Sequence, residues 1–393
     1  MTGLENAQRG DGMAESSTAQ ILAQLAAQRL TGPEFDPPVL QRSIRMRPSM
    51  YVGGTDARGL HETLLRLVDI SAEEFLHGAQ SLEVTLRDGL ATIADDGPGL
   101  SGTPIAALDG QSLLEVAATT FLLDGRLRHD GAARSVIDIP AAAALAETFR
   151  LESCHQGRRF NFSMIRGAPT GPTHDLGPTE RQGTRFEWRP DPVIFRQPTL
   201  DADLVRDRLR FLAAYRPGLV VGFEGEDGRR ERFSCPAGMA DRVRALAADR
   251  SAYRPVFAVQ AGVPGLALDV AFQHVRGEET VIETYANGRR TTGDGAHWRG
   301  FQRGVIGLLR AKARERAEHE PVRVDSASFE RGLIAVLSVD AANLQFESPT
   351  RDRVTNVEIE ERVAAAVRTQ LGVWLSEHPS LLETLLARAG RCD

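Results

Sequence analysis

The run "LEVTLRDGLATIAD" at residues 82–95 constrains the fold of this chain most strongly. Its apolar residues alternate on both sides of "RDG", a tripeptide that favours a tight turn between two antiparallel strands. Further strand-like runs follow at 149–165 and 183–191. Helical segments separate the strand-like runs, at 60–77, 111–123 and 140–149. This mixture predicts an α+β sandwich, with helices on one face of a mainly antiparallel sheet.

A stretch rich in proline and aspartate, "DPVIFRQPTLDADL" at 191–204, is typical of a domain junction. A second α/β unit follows it, with a closing helix expected near 356–376. We therefore expect three parts along the chain. They are an N-terminal arm with a short helix (1–38), an α/β sandwich domain (39–195) and a second domain (196–393).

Composition excludes several classes of protein. The chain has 393 residues, 42% of them hydrophobic, and a formal net charge of −6, so no global positive field attracts nucleic acid. No apolar run approaches the roughly 20 residues that span a bilayer, and the start lacks a signal-peptide pattern. Three isolated cysteines provide neither a disulfide framework nor a metal set. We expect a cytoplasmic protein without a membrane segment or a bound metal, and leave direct DNA binding open.

Five segments carry a family resemblance because they occur in a fixed order. They are "RPSMYVGGTDARGLH" (47–61), "ADDGPGLSG" (94–102), "GTRFEWRPDPVIF" (183–195), "YANGRRTTGDGAHWRGF" (285–301) and "LQFESPTRDRV" (344–354). Together they resemble the signature regions of DNA gyrase B and its topoisomerase IV counterpart. The fourth segment matches at Asn287, Thr291, Gly295, His297, Gly300 and Phe301. The resemblance covers residues 39 to about 376.

The resemblance implies a GHKL-type ATPase domain, the fold shared by gyrase, histidine kinases, MutL and heat-shock chaperones. A transducer domain of the ribosomal-S5-domain-2 type should follow it. The match in the second domain favours the topoisomerase branch. Little sequence remains after residue 376 for the family's metal-binding domain that helps to cut DNA. We therefore expect that this chain alone does not pass DNA strands.

The adenine end of the implied ATP site is present in the sequence. The family's first aspartate of the D-D-G-x-G run, here Asp95, accepts a hydrogen bond from the adenine amino group. Gly97 and Gly99 allow the backbone to turn tightly, and Thr184 matches the threonine that supports the same aspartate. The alternative is that Asp95 and Asp96 only cap a turn after a strand.

The phosphate end departs from the family. The resemblance places the general base of hydrolysis at Arg66, and a guanidinium cannot accept a proton at any workable pH. It places an asparagine that binds magnesium at Ile70, which has no oxygen ligand. The sequence therefore predicts no catalytic residue and no metal ligand.

Other carboxylates near the same helix are not in the position of the base. Glu62 and Glu73 share the helical face of Arg66 but lie roughly 6 and 10 Å away along the axis. We expect Glu73 and Glu74 to face solvent, and Asp69 matches a structural aspartate of the family.

The segment at 127–147 corresponds to the family's glycine-rich lid over the triphosphate. Gly131 fits that pattern, whereas Ala133 replaces a glycine whose backbone would cradle phosphate. In the loop that returns a lysine to the ATP site, Pro349 and Arg351 replace the first and last residues of the family's Gln-Thr-Lys. Arg351 keeps a positive charge that could pair with a phosphate; the alternative is a surface arginine.

Taken together, these substitutions predict a pseudo-ATPase. Our first hypothesis is a catalytically inactive gyrase-B-like protein that acts as a dimerising interaction or regulatory module on DNA gyrase or topoisomerase. Its partner would be a second copy or a gyrase or topoisomerase subunit. The alternative is an ATP-binding and ATP-hydrolysing subunit of a split type II topoisomerase. A third hypothesis is a binding module for an adenine-like molecule or gyrase inhibitor. No cofactor is certain; ATP or an adenine-like ligand without Mg²⁺ is the candidate.

Overall fold

The computed structural model describes residues 36–121, 138–253, 255–291, 295–316, 323–347 and 352–390. The expected helix at 16–30 therefore lies outside the described residues. Two compact units divide the chain. The first comprises the described residues up to Ala213 together with Gly218–Ser234, and the second comprises Ala214–Pro217 and the described residues from Cys235 onward.

The first unit contains a nine-stranded sheet within the described residues. Its strands are β1 (Ser81–Arg87), β2 (Leu90–Asp95), β3 (Ala146–His155), β4 (Arg158–Ile165), β5 (Ala168–Pro169), β6 (His174–Pro178), β7 (Gly183–Pro190), β8 (Val220–Glu224) and β9 (Arg230–Phe233). They are ordered β5-β4-β3-β7-β2-β1-β8-β9, and β6 pairs with β4. Only the β1–β8 pair among these is parallel. The prediction of a mainly antiparallel sheet is confirmed.

The first hairpin forms where the sequence predicts it. Arg87 of β1 pairs with Leu90 of β2, so the connecting loop is Asp88–Gly89. Both loop residues have positive φ, 52° and 70°, which is the backbone that a two-residue hairpin turn requires. The alternating residues of β1 are buried and exposed in turn.

Helices of the first unit are α1 (Pro37–Met46), α2 (Ser49–Val52), α3 (Ala57–Glu73), α4 (Leu113–Thr119), α5 (Asp138–Ala144) and α6 (Ala202–Tyr215). A 3₁₀ turn at Glu74–His77 extends α3. The Asp56 side chain caps α3 by accepting a hydrogen bond from the Gly59 N–H. Leu60, Leu64 and Leu67 of α3 are fully buried. Their spacing of three and four residues places them on one face of the helix.

The division between the units falls later in the chain than the boundary expected at residue 195. Strand β8 pairs in parallel with β1, and β9 pairs with β8, so both strands extend the first sheet. The Pro-rich stretch at 191–204 therefore lies inside the first unit. Sequence punctuation marked a loop there, whereas the strand pairing decides which unit the following residues join.

The second unit contains a five-stranded sheet, ordered β10-β11-β14-β12-β13. These strands are β10 (Phe257–Val263), β11 (Leu266–His274), β12 (Val281–Ala286), β13 (Arg289–Thr291) and β14 (Leu333–Asp340). The helices are α7 (Met239–Leu246), α8 (Ala296–Arg316), α9 (Ser326–Glu330), α10 (Val357–Glu377) and α11 (Pro379–Ala389). The core includes Phe257, Phe272, Phe301 and Phe329. No helix in the described ranges is long and apolar enough to cross a membrane.

Candidate functional site

Asp95 ends strand β2 with a buried carboxylate that is only partly hydrogen-bonded. The residue is 8% exposed. Its Oδ1 accepts hydrogen bonds from the backbone N–H groups of Gly97 (3.1 Å) and Thr184 (3.2 Å). Its Oδ2 is buried and has no hydrogen-bond partner among the described residues. A buried acceptor without a partner is costly, so this atom is the strongest ligand-binding feature of the first unit.

The environment of Asp95 weakens its acidity. Burial raises the pKa of this carboxyl to about 7, and the negative charge of Glu74 contributes to the rise. The N–H groups of Gly97 and Thr184 lower the pKa, and so does the nearby Ser71 hydroxyl, which forms no hydrogen bond of ordinary geometry with it. A ligand that donates a hydrogen bond to Oδ2 would stabilise the ionised form.

The neighbouring Asp96 has a different role. Its Oδ1 accepts hydrogen bonds from the backbone N–H groups of Gln80 (2.7 Å) and Ser81 (2.8 Å) at the start of β1. Burial opposes its ionisation, but these N–H groups outweigh burial and hold the pKa of Asp96 below its ordinary value. Asp96 is therefore satisfied by the backbone, whereas Asp95 keeps an available acceptor. Capping alone explains Asp96 and not Asp95.

Two glycines are required here by protein packing. A Cβ on Gly97 would lie 2.8 Å from the Cβ of Glu74. Gly99 has φ +70°, and a Cβ there would lie 2.4 Å from the carbonyl oxygen of Cys154. The structure thus brings Asp95, Gly97 and Thr184 together and explains Gly99 by its contact with β3.

Arg66 lies on α3 and is held by three acceptors. Its Nε donates to Glu62 Oε1 at 3.1 Å, one turn earlier on the same helix. Its Nη1 donates to the carbonyl oxygen of Tyr51 and to Asp138 Oδ1, both at 2.9 Å. The side chain is 17% exposed. The guanidinium therefore links α3 to the first residue of α5 and to the end of α2.

The residues on this face do not fit a magnesium ion. Ile70, one turn after Arg66, is half-buried and its side chain presents only aliphatic carbon to its surroundings. Within the described ranges there is no group of three or more His, Cys, Asp or Glu side chains that could hold a metal ion. Mg²⁺ requires hard oxygen ligands. We therefore derive no chemical step that uses a metal.

The structure corrects one expectation about the acidic residues. Glu74 does not face solvent: it packs against Gly97 and its charge acts on Asp95. The signal was its spacing, because residues 66, 70 and 74 recur every four positions along one helical face. Asp69 pairs with Arg208, with contacts of 2.6 and 2.8 Å, and is thereby a structural residue of the first unit.

Asp138 and Tyr51 are the site residues that sequence reasoning missed. Asp138 is 72 positions from Arg66, and no local pattern joins them. The predicted residues Gly131, Ala133, Pro349 and Arg351 lie outside the described residues and stay predictions.

The sequence motif at 285–301 contributes to the interior of the second unit. The Nε2 of His297 lies 3.1 Å from Thr291 Oγ1, which in turn contacts Thr284 Oγ1 at 2.6 Å. Burial, with a smaller effect of Arg299, lowers the pKa of His297 to about 4, so the imidazole is neutral at pH 7. Asn287 bonds to both backbone groups of Ala341. These residues order the second unit.

Comparison with known proteins agrees with this fold and site. The family model for DNA gyrase B matches residues 238–391. The B subunit of DNA gyrase from Thermotoga maritima is 29% identical over 364 residues, 88% of this chain and 57% of the relative. Its counterpart from Archaeoglobus fulgidus is 30% identical over 357 residues, 88% of this chain and 56% of the relative. The chain thus spans about half the length of the curated relatives it matches.

Solved structures give the same result. The 43K ATPase domain of Thermus thermophilus gyrase B, in complex with an aminocoumarin, superposes with a TM-score of 0.76 at 28% identity. That match covers 89% of this chain and 93% of the other. The gyrase B-subunit of Myxococcus xanthus matches with a TM-score of 0.77 at 24% identity, over 89% of this chain and 99% of the other.

Fold and site define a protein of the GHKL ATPase-domain class. More narrowly, the chain is a gyrase-B-like protein, related to DNA gyrase B over most of its described length.

Proposed function

We propose that this gyrase-B-like protein does not turn over ATP and acts as an interaction or regulatory module for a gyrase or topoisomerase. One observation carries the proposal: the side chain at the position of the general base is an arginine, held by Glu62, Asp138 and the Tyr51 carbonyl. A guanidinium cannot take a proton from the attacking water. Loss of a general base typically costs about 10²–10⁴-fold in rate.

The fixed position of Arg66 strengthens this argument. An exposed arginine could swing away and leave space for a water and a substitute base. Here two ion pairs and a backbone carbonyl hold the guanidinium against α5 and α2. Ile70 adds an aliphatic side chain where the family's magnesium ligand would be. These features support a site that has lost its hydrolytic chemistry.

The test is phosphate release from Mg·ATP by the full chain, with Asp95→Asn and Arg66→Ala as paired variants. We expect no release above background that depends on Asp95. Magnesium-dependent release that Asp95→Asn abolishes and Arg66→Ala leaves unchanged would overturn the proposal. It would favour the alternative, an ATP-hydrolysing subunit of a split type II topoisomerase.

The partner in this proposal is a second copy of the chain or a subunit of gyrase or topoisomerase. It is supported by the relatives, which are named as subunits of DNA gyrase and of type 2 topoisomerase. A protein that keeps such a scaffold without turnover can act only through the complexes that it forms or the ligands that it binds.

A second candidate function is supported by Asp95. Its unpartnered, buried Oδ2 fits an amino donor, such as that of adenine or of a planar gyrase inhibitor. The related Thermus thermophilus domain was solved with an aminocoumarin. A thermal-shift panel of nucleosides, nucleotides and gyrase inhibitors tests this function. We expect stabilisation that Asp95→Asn removes, and silence across the panel would eliminate this candidate.

A further inference from the structure

We propose that this pocket selects an uncharged heteroaromatic ligand with an amino donor, of the adenine or adenosine class, and discriminates against nucleoside triphosphates. Glu62 and Asp138 would be the residues that determine this specificity. The inference rests on the second candidate function above, since it names the ligand class of the same site.

One end of the pocket is suited to a base. Asp95 is 8% exposed, and its Oδ2 lacks a partner among the described residues while Oδ1 is held by two backbone N–H groups. The carboxylate is thus fixed in orientation by the protein, with one acceptor left for a ligand. An exocyclic amino group supplies the matching donor, and pairing it removes the cost of an unsatisfied buried oxygen.

The other end of the pocket is unsuited to phosphate. Arg66 is the basic residue on this face of α3, and three of its five N–H donors already bind Glu62, Asp138 and the Tyr51 carbonyl. A phosphate that recruited this guanidinium would have to displace a carboxylate. It would also approach the negative charges of Glu62 and Asp138, and like charges at short range repel each other.

The spacing along α3 relates the two ends. Ser71 lies beside Asp95, and Arg66 precedes Ser71 by five residues, about 7.5 Å along the helix axis. A ligand that extends from Asp95 toward the start of α3 therefore meets Ile70 and then the Arg66–Asp138 pair. Ile70 offers carbon contact to a sugar or an aromatic ring, whereas a charged tail gains nothing from it.

The experiment is calorimetric titration of the full chain with adenosine, AMP and ATP, each with and without Mg²⁺ at fixed ionic strength. We expect the wild-type protein to bind adenosine at least about tenfold more tightly than ATP. Asp138→Asn removes one carboxylate and releases Arg66, so it should improve ATP affinity about tenfold and change adenosine affinity by less than about twofold. Asp95→Asn should abolish binding of both.

Glu62→Gln is the second variant, because it alters the same ion-pair group without touching α5. It should shift the ATP-to-adenosine ratio in the same direction as Asp138→Asn, so the test does not depend on one variant folding. Circular dichroism melts establish that each variant is folded.

Three outcomes would overturn the inference: wild-type ATP affinity equal to or above that of adenosine, equal effects of Asp138→Asn on both ligands, or no binding of any ligand. These failures are distinct from failure of the proposed function. Tight binding of Mg·ATP without phosphate release contradicts only the selectivity, whereas phosphate release contradicts the loss of turnover whatever the affinities.

Discussion

Asp95 and Asp96 are adjacent in sequence and have opposite electrostatic environments. Burial and Glu74 raise the pKa of Asp95 to about 7. Backbone N–H groups overcome burial and lower the pKa of Asp96. Neighbouring carboxyls with divergent acidity are typical of sites where one residue is structural and the other meets a ligand.

The pH dependence of stability should separate these two aspartates. Because the pKa of Asp95 is raised from 3.8 in the unfolded chain to about 7, its carboxylate opposes folding above pH 4, increasingly until pH 7. Asp95→Asn removes this effect. The free energy of unfolding of the variant should therefore rise relative to wild type between pH 5 and pH 8, by at most about 4 kcal/mol.

Urea unfolding at pH 5 and pH 8 measures this difference. Asp96→Asn is the control: a lowered pKa gives stability that is lost only as pH falls below the ordinary range, so its difference from wild type should be constant from pH 5 to pH 8. A flat difference for Asp95→Asn would contradict the assigned environment.

A buried ion pair in the second unit provides a second residue-scale prediction. Arg242 and Glu283 have side chains 5% and 4% exposed and form a two-point contact at 2.7 and 3.0 Å. Arg242→Met leaves a buried carboxylate without its cation, and should lower the free energy of unfolding by about 3–5 kcal/mol. Urea unfolding measures it.

The control for that prediction is an exposed pair. Arg229 and Asp227 are 85% and 53% exposed, so Arg229→Met should cost at most about 1 kcal/mol. The double substitution Arg242→Met with Glu283→Leu should cost less than Arg242→Met alone, because it removes the stranded charge. Equal losses for the buried and exposed arginines would refute this account.

At the scale of elements, α8 and α10 pack closely because glycines face the contact. A Cβ on Gly300 would lie 2.5 Å from the carbonyl oxygen of Glu360, and one on Gly304 would lie 2.7 Å from that of Ala364. Both neighbours are helix backbone, which cannot rotate away. These two glycines therefore set the distance between the helices, although glycine is a poor helix former.

Gly304→Ala should destabilise the protein by about 1–3 kcal/mol, because the overpacking exceeds the gain in helix propensity. Gly372→Ala on α10 is the matched control, since its Cβ would lie 3.8 Å from Leu308 Cδ1, an ordinary contact. That substitution should stabilise by about 0.5–1 kcal/mol. Thermal and urea unfolding of both variants measure the opposite signs, and a stabilising Gly304→Ala would disprove the close contact.

At the scale of the whole molecule, the proposed function requires complexes that form without nucleotide turnover. We expect light scattering after size exclusion to give about twice the 42.8 kDa of one chain, with or without ATP. A pull-down with gyrase and topoisomerase subunits tests the other partner. A monomer in every condition together with an empty pull-down would eliminate the interaction module.

Local sequence determined much of the architecture. The Asp88–Gly89 turn, the amphipathic face of α3 and the second-unit helices were predicted because they depend on periodicity and turn chemistry over a few residues. The order of the motifs predicted the gyrase-B-like fold. The identity of residue 66, an arginine, was enough to predict the missing base.

Tertiary structure alone decided how that arginine is held and where the first unit ends. The contact between Arg66 and Asp138 joins positions 72 residues apart, and the parallel pairing of β1 with β8 joins strands more distant still. Glu74 likewise reaches Asp95 only because the end of α3 packs against the glycine turn after β2. Such contacts are fixed by the packing of whole elements, and periodicity along the chain carries no record of which elements meet.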